Sequence, residues 1–221
     1  MGNDQADLIS STYRPVMAIR LLASVAVICG IAPKLCAVLV LAGLFCELIY
    51  EYRYNTTYMA LMVACLLPAG NIGTGFTFSD EASSANTWAQ FLAVLITLDL
   101  YWNGVWLKIR SPQFMSGLLL AQFVHGAEKV KDRLPYREFF YPRLLLKIMD
   151  DGPAGVKKWR LAAQMTIFLE VVIPIALFVP QARPWAIAIG VLVHLAFALL
   201  KPRGIIGFSI ATLASYILFV P

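Results

Sequence analysis

Long apolar runs recur along most of the sequence, and they constrain the fold more than any other feature. They lie at about 13–32, 35–52, 56–69, 87–109, 159–179, 184–200 and 204–220. A helix needs about 20 mostly apolar residues to cross a bilayer. Hydrophobic residues make up 60% of the chain and charged residues only 14%, against about 45–50% and 25% in soluble domains. We therefore predict an all-α polytopic transmembrane helix bundle with about seven spans, forming one domain over residues 1–221.

The segments between these runs are predicted to stay at or outside the membrane surface. Residues 1–12 form a polar tail, and residues 126–158 form a basic surface segment in which EFFYPRLLLKIM is amphipathic. Residues 112–125 are too short to span, which favours a re-entrant or interfacial helix. Pro33 and Lys34 are expected to form a turn. Because residues 70–86 contain no Lys or Arg, we expect this loop outside and the N-terminus inside.

The stretch from Thr97 to Gly117 concentrates polar residues where lipid would disfavour them. A charged side chain at the centre of a bilayer costs about 3 kcal/mol on insertion scales, so it needs a use or a partner. Residues three and four apart share one face of a helix. Two stripes follow from this spacing: Asp99, Asn103 and Trp106 on one, and Tyr101, Gly104 and Lys108 on the other. Asp99 and Lys108 lie on opposite sides, so each is expected to find its partner on another helix or at the interface.

Three further ionisable residues within the runs each allow two interpretations. Arg20 either extends to the membrane surface or pairs with a glutamate. Glu170 either bonds to the backbone freed by Pro174 or belongs to a site. His194 is either a satisfied buried histidine or a functional group. Because exposure to lipid would be costly, Glu170 and His194 are both expected to face the interior of the bundle.

The sequence lacks the patterns that are typical of several classes of site. The four cysteines, Cys29, Cys36, Cys46 and Cys65, lack CxxC spacing and are interpreted as packing residues. The chain has two histidines and no HExxH pattern, so no metal centre is predicted. A phosphate-binding loop and a nucleophile elbow are both missing. The basic residues cluster in one surface segment, so no nucleic-acid partner is expected.

The stretch YWNGVWLKIRSPQFMSG resembles the signature of the HTTM membrane family, the domain shared with vitamin K-dependent gamma-carboxylase. The matching positions are Tyr101, Gly104, Lys108, Ser111, Pro112 and Gly117. Phe114 stands where tryptophan is usual, and Asn103 where Ser or Ala is usual. Looser similarity covers RPVMAIRLL, LEVVIPIALFVP, and HLAFALL with GFSIATLASYILFVP. The resemblance therefore extends over most of the chain, with one moderately specific motif.

The resemblance implies a quinone as cofactor and Lys108 as the base that deprotonates its quinol. In the carboxylase, the quinol then reacts with oxygen to give the strong base that acts on glutamate. A large hydrophilic region handles the peptide there; it does not occur in these 221 residues, so protein carboxylation by this chain alone is not expected. The implied site has Lys108 and His194 as catalytic residues, and its cofactor-binding residues are Tyr101, Asn103, Trp106 and Glu170.

The predicted function is a quinone-binding, redox-linked membrane protein that works with a partner protein; whether it is an enzyme stays open. The alternative is a non-catalytic structural subunit of a larger respiratory, photosynthetic or export complex. A small transporter using Asp99, Glu170 and His194 as a relay is disfavoured, since the sequence has no inverted repeat. The expected partners are the lipid bilayer and another protein subunit, in a bacterial inner membrane.

Overall fold

The computed structural model describes residues 3–50, 54–70, 84–130, 147, 149, 152–200 and 202–219, and every regular element in these ranges is helical. The helices are α1 (Asn3–Ile28), α2 (Pro33–Tyr50), α3 (Tyr54–Ala64), α4 (Ser84–Ile109), α5 (Pro112–Met115), α6 (Leu118–Val130), α7 (Gly152–Phe178), α8 (Arg183–Leu200) and α9 (Pro202–Ser215), followed by a 3₁₀ helix at Tyr216–Phe219. The predicted all-α class is confirmed for this part of the chain.

Four of the described helices are long and apolar enough to cross a membrane. They are Ser11–Ile28 within α1, Pro33–Tyr50 (α2), Ser84–Ile109 (α4) and Gly155–Phe178 within α7. Two shorter apolar helices follow, at Arg183–Ala198 and Ile205–Phe219. α3 has only 11 residues, well below the length of about 20 that a span needs. The described part of the chain thus has several candidate spans. By length and composition, its helices give fewer than the seven spans predicted.

The chain divides into two compact units, Met1–Ile96 and Thr97–Pro221, with the boundary inside α4. In the first unit, α1 packs against α2 and α2 against α3. Their contact buries small and branched side chains: Ala23, Cys36, Val40, Leu44 and Ala60. Cys36 has the packing role that its position predicts, and all four cysteines have free thiols.

The turn between α1 and α2 lies before Pro33, so the predicted turn at Pro33–Lys34 is wrong by a few residues. Gly30 adopts φ 73°, and the Ile31 N–H donates to the Ala26 carbonyl at 2.9 Å. A left-handed glycine with such a bond is the Schellman ending of a helix, which satisfies its last carbonyls. Pro33 is the first residue of α2. A backbone N–H at this position has no partner within the helix, so proline loses no hydrogen bond there.

The second unit is built around α7, which packs against α5, α6 and α8, while α8 packs against α9. Ala163, Ile173 and Leu177 on α7 are almost fully buried. The 3₁₀ helix also contacts α7, and its Tyr216 is among the most deeply buried large side chains. α7 is thus the central helix of the unit that also contains the second half of α4.

Residues 112–125 do not form one helix. α5 has four residues and α6 thirteen, and the two are separated at Gly117, whose φ is +79°. Neither helix has the length of a span, in line with the prediction that this segment does not cross. α6 continues five residues beyond the predicted end, to Val130.

Other predicted surface segments are described only in part. Residues 1–12 are interpreted from sequence as a polar tail, but α1 already begins at Asn3. Most of the loop at 70–86 lies outside the described residues, and so does most of 126–158, including the amphipathic stretch EFFYPRLLLKIM. The predictions for these segments remain predictions.

Candidate functional site

One face of α4 carries the polar residues that point into the second unit. Thr97, Tyr101 and Val105 recur every four residues, and all three are buried. Gly104 and Lys108 continue this face and are half-buried. The predicted stripe of Tyr101, Gly104 and Lys108 is therefore the inner face of the helix.

Lys108 forms an ion pair with Glu170 on α7. The distances from Lys108 Nζ to the two carboxylate oxygens are 2.7 and 2.5 Å. Exposure of the side chains is 25% for Lys108 and 10% for Glu170. Glu170 therefore holds the ammonium of Lys108. Of the two places expected for the partner of Lys108, another helix or the interface, the structure shows the first.

Glycine at position 104 lets the ion pair lie against the backbone of α4. A Cβ added there would be 3.4 Å from Lys108 Nζ and 3.7 Å from Glu170 Oε2. Long side chains on a helix lean toward its N-terminus, which brings the Lys108 amine back by one turn to this gap. A longer side chain at Gly104 would occupy the place of the pair.

The turn after α4 places an aromatic ring next to the same ammonium. The Ser111 hydroxyl caps α5 by accepting the Phe114 N–H at 3.2 Å, and Pro112 is the first helical residue. Lys108 Nζ lies 5.8 Å from the centre of the buried Phe114 ring, within the range of a cation–π contact. Gly117 lies so close to the backbone of α7 at Trp159 that a Cβ would have no room.

A second polar cluster surrounds His194 on α8, which is 4% exposed. Its Nε2 is 3.0 Å from the Tyr101 hydroxyl, and its Nδ1 is 3.1 Å from the Ser209 hydroxyl. The Tyr101 hydroxyl also bonds to that of Tyr216. With Glu170 at 7% exposure, the expectation that both residues face the interior is confirmed.

A third set of hydrogen bonds connects α4 to the end of α9. The Thr97 hydroxyl donates to the Ser215 hydroxyl at 3.0 Å, and Ser215 donates to the Thr212 carbonyl at 2.7 Å. No role was predicted for Ser209, Ser215 or Tyr216. The signal was present, because hydroxyl groups recur at helical spacing in an otherwise apolar segment.

The other predicted stripe of α4 lies on a different face. Asp99 is exposed and Asn103 half-buried. Trp106 is 59% exposed, and its ring lies 5.3 Å from the Arg110 guanidinium. Of the predicted site residues, the structure thus brings Lys108 to Glu170 and Tyr101 to His194, and places Asn103 and Trp106 apart from both pairs.

The first unit contains its own ion pair, between Arg20 and Glu47. The Thr56 hydroxyl donates to the other Glu47 oxygen at 3.4 Å, so residues from α1, α2 and α3 meet there. A Cβ at Gly43 would be 3.1–3.3 Å from the Arg20 side chain. Pairing with a glutamate, one of the two interpretations of Arg20, is confirmed. Among the described residues, no three His, Cys, Asp or Glu side chains group as a metal site requires.

No protein-family model matches this chain, and no curated protein or solved structure is significantly similar to it.

Proposed function

We propose that this chain is a membrane protein that binds a quinol and takes up its proton at the Lys108–Glu170 pair. The observation that carries the proposal is the ion pair itself, in which both carboxylate oxygens contact Lys108 Nζ inside an apolar helical unit. Such a pair is expensive to desolvate and often contributes little net stability. Ionisable groups within membrane segments are functional candidates for the same reason.

The surroundings of the pair suit a flat ring with a weakly acidic hydroxyl. Phe114 offers an aromatic face near the ammonium, and the buried Tyr101 lies two turns before Lys108 on the same face of α4. Stacking on aromatic rings and a hydrogen bond to a charged group are typical of sites for such ligands. The donor set therefore fits a quinol, which would supply the acidic hydroxyl and the redox capacity.

The resemblance to the HTTM family supports the same proposal. Five of the six matching residues have a role around the pair: Lys108 supplies the ammonium and Gly104 leaves room for it. Ser111 and Pro112 begin α5, and Gly117 lets that turn approach α7. One site thus accounts for the spacing of the motif. Membership of this family, a partner subunit, a bacterial inner-membrane location and a seven-span topology belong to the proposal.

Within the pair, the roles of the two residues follow from their charges. The amine of Lys108 is paired as an ammonium and has no lone pair for a proton. Glu170 accepts the proton as the quinol O–H bond breaks, and Lys108 stabilises the negative charge left on the oxygen. No electrons move in this step. The proposal thereby shifts the base from Lys108, as the resemblance implies, to Glu170, with Lys108 as its electrostatic partner.

The test uses menadiol as the quinol, titrated under anaerobic conditions into the purified full-length protein. Calorimetry measures binding, and ultraviolet absorption measures loss of the phenolic proton. We expect Glu170→Gln to bind menadiol without deprotonating it, and Lys108→Met to lose deprotonation as well. Lys108→Arg retains the positive charge and should keep most of the signal. If Lys108 were the base, this variant would be inactive and Glu170→Gln active.

A control variant matches the removal of the lysine. Lys157 is exposed on α7, and Lys157→Met should behave like the unchanged protein. Absence of saturable menadiol binding to the unchanged protein would contradict the proposal.

The second candidate function is a non-catalytic subunit of a larger membrane complex. It is favoured by the direct pairing of Lys108 with both oxygens of Glu170, which suits a contact that only joins α4 and α7. In that case the variants of the pair would lower stability and co-purification of partner subunits, and menadiol would not bind.

A further inference from the structure

We propose that Tyr216, Tyr101, His194 and Ser209 form a buried proton relay. Three consecutive hydrogen bonds connect them, from the Tyr216 hydroxyl to Tyr101, from Tyr101 to His194 Nε2, and from His194 Nδ1 to Ser209. Each of the four residues is at most 5% exposed. The relay uses the Tyr101 hydroxyl, whereas the quinol proposal uses only the Tyr101 ring, and the hydrogen bonds of the relay do not depend on that proposal.

All three bonds run in one direction when the buried Tyr101 hydroxyl donates its proton to one of its two neighbours and accepts from the other. A hydroxyl has one proton to donate, and a neutral imidazole donates from one nitrogen and accepts at the other. In the first arrangement, Tyr216 donates to Tyr101, Tyr101 to Nε2, and Nδ1 to Ser209. In the second, Ser209 donates to Nδ1, Nε2 to Tyr101, and Tyr101 to Tyr216. Both arrangements satisfy the same three contacts, so neither is excluded by the geometry.

Conversion of the first arrangement into the second moves one proton along the relay. A hydronium ion gives a proton to the Tyr216 oxygen and becomes water, and the original Tyr216 proton passes to Tyr101. The Tyr101 proton passes to His194 Nε2, while the Nδ1 proton passes to Ser209 and the original Ser209 proton passes to a second water molecule, which becomes hydronium. One O–H or N–H bond breaks for each that forms, and no oxidant or reductant is required. Rotation of the hydroxyls and exchange of the histidine tautomer restore the first arrangement.

Gly190 is the positioning residue of the relay. It lies one turn before His194 on α8, and a Cβ there would be 2.6 Å from the Tyr216 hydroxyl oxygen. Such a contact is too short for any side chain. The missing Cβ therefore allows the Tyr216 hydroxyl to reach Tyr101 beside the imidazole.

The test reads the histidine tautomer by ¹⁵N NMR of the full-length protein labelled at histidine. The chain has two histidines, so His125→Gln leaves His194 as the single signal. A buried donor without an acceptor is more unfavourable than an unused acceptor. Tyr216→Phe removes the acceptor of Tyr101 in the second arrangement, and should shift the population toward the Nδ1–H tautomer. Ser209→Ala removes the acceptor of Nδ1, and should shift it toward the Nε2–H tautomer.

We expect both tautomers in the His125→Gln protein, and opposite shifts of about tenfold in their ratio in the two variants. Gly190→Ala should shift the ratio in the same direction as Tyr216→Phe. Ser215→Ala is the control, because Ser215 lies beside Tyr216 but bonds to Thr97, and it should leave the ratio unchanged. A single tautomer that persists in every variant, or shifts of the same sign in both, would overturn the relay. No quinol is present, so failure of the quinol proposal leaves this result unaffected.

Discussion

Lys108 and Glu170 are 62 residues apart in the sequence, yet Lys108 Nζ lies within 2.7 Å of both oxygens of the Glu170 carboxylate. The contact joins the end of α4 to the middle of α7, the central helix of its unit. Either charge alone would be unfavourable in this apolar setting. Each charge therefore offsets the cost of burying the other. Substitutions of the two residues should have effects on the free energy of unfolding that depend on one another.

That dependence is measurable with a double-mutant cycle. Lys108→Met and Glu170→Met should each destabilise the protein by about 3 kcal/mol, because each leaves an unpaired buried charge. The double variant should be more stable than either single variant, since apolar residues can replace a buried pair at little loss. Unfolding in mixed detergent micelles gives the free energies, with Lys157→Met as the control. Additive effects of the two substitutions would contradict coupling through the pair.

Gly117 offers a matched comparison with a second glycine in the adjacent helix. Gly117→Ala places a side chain at φ +79° and against the backbone of α7 at Trp159, and it should destabilise by more than about 2 kcal/mol. Gly126 lies inside α6, and a Cβ there meets nothing within 4 Å. Gly126→Ala should be neutral or stabilising by up to about 1 kcal/mol. Equal melting temperatures for the two variants would show that the close approach at Gly117 is not maintained.

The sequence predicted the local features of the fold and not the partners across it. Helical spacing was enough to place Tyr101, Gly104 and Lys108 on one face, because a helix has a fixed period. It could not show that Lys108 meets Glu170, since that contact depends on how α4 packs against α7. The partner of Ser209 was missed for the same reason: the helical spacing of hydroxyl residues marks a polar face, but it does not show that His194 lies opposite.

The number of spans was harder to predict because hydropathy does not fix where a helix ends. The apolar run at 56–69 suggested a span, but α3 ends at Ala64, and Cys65 follows it in a turn. Similarly, Pro33 was predicted to lie in a turn because proline is common in turns. Its position at the start of α2 depends on the left-handed Gly30, which only the backbone reveals.

The ion pair of the first unit predicts a graded response. Glu47→Gln removes the charge that balances Arg20, and should lower stability by about 2 kcal/mol. Thr56→Val removes only the weaker hydrogen bond to Glu47, for which about 0.6 kcal/mol is typical in membrane proteins. Thermal unfolding in detergent measures both variants. A larger effect of Thr56→Val than of Glu47→Gln would contradict the assignment of Arg20 as the main partner.

The orientation of α4 can be tested at its two ends. α4 has 26 residues and is about 39 Å long at 1.5 Å per residue, which exceeds the hydrocarbon thickness of about 30 Å. Ser84 begins α4, and Ser116 follows α5; both are exposed. Because Lys and Arg favour the cytoplasmic side, and both Lys108 and Arg110 are at the end of α4, we expect Ser84 outside and Ser116 inside. In a background with the four native cysteines replaced by alanine, a membrane-impermeant maleimide should label Ser84→Cys in intact cells. Ser116→Cys should react only after the cells are permeabilised, and labelling of both residues in intact cells would show that α4 does not cross as proposed.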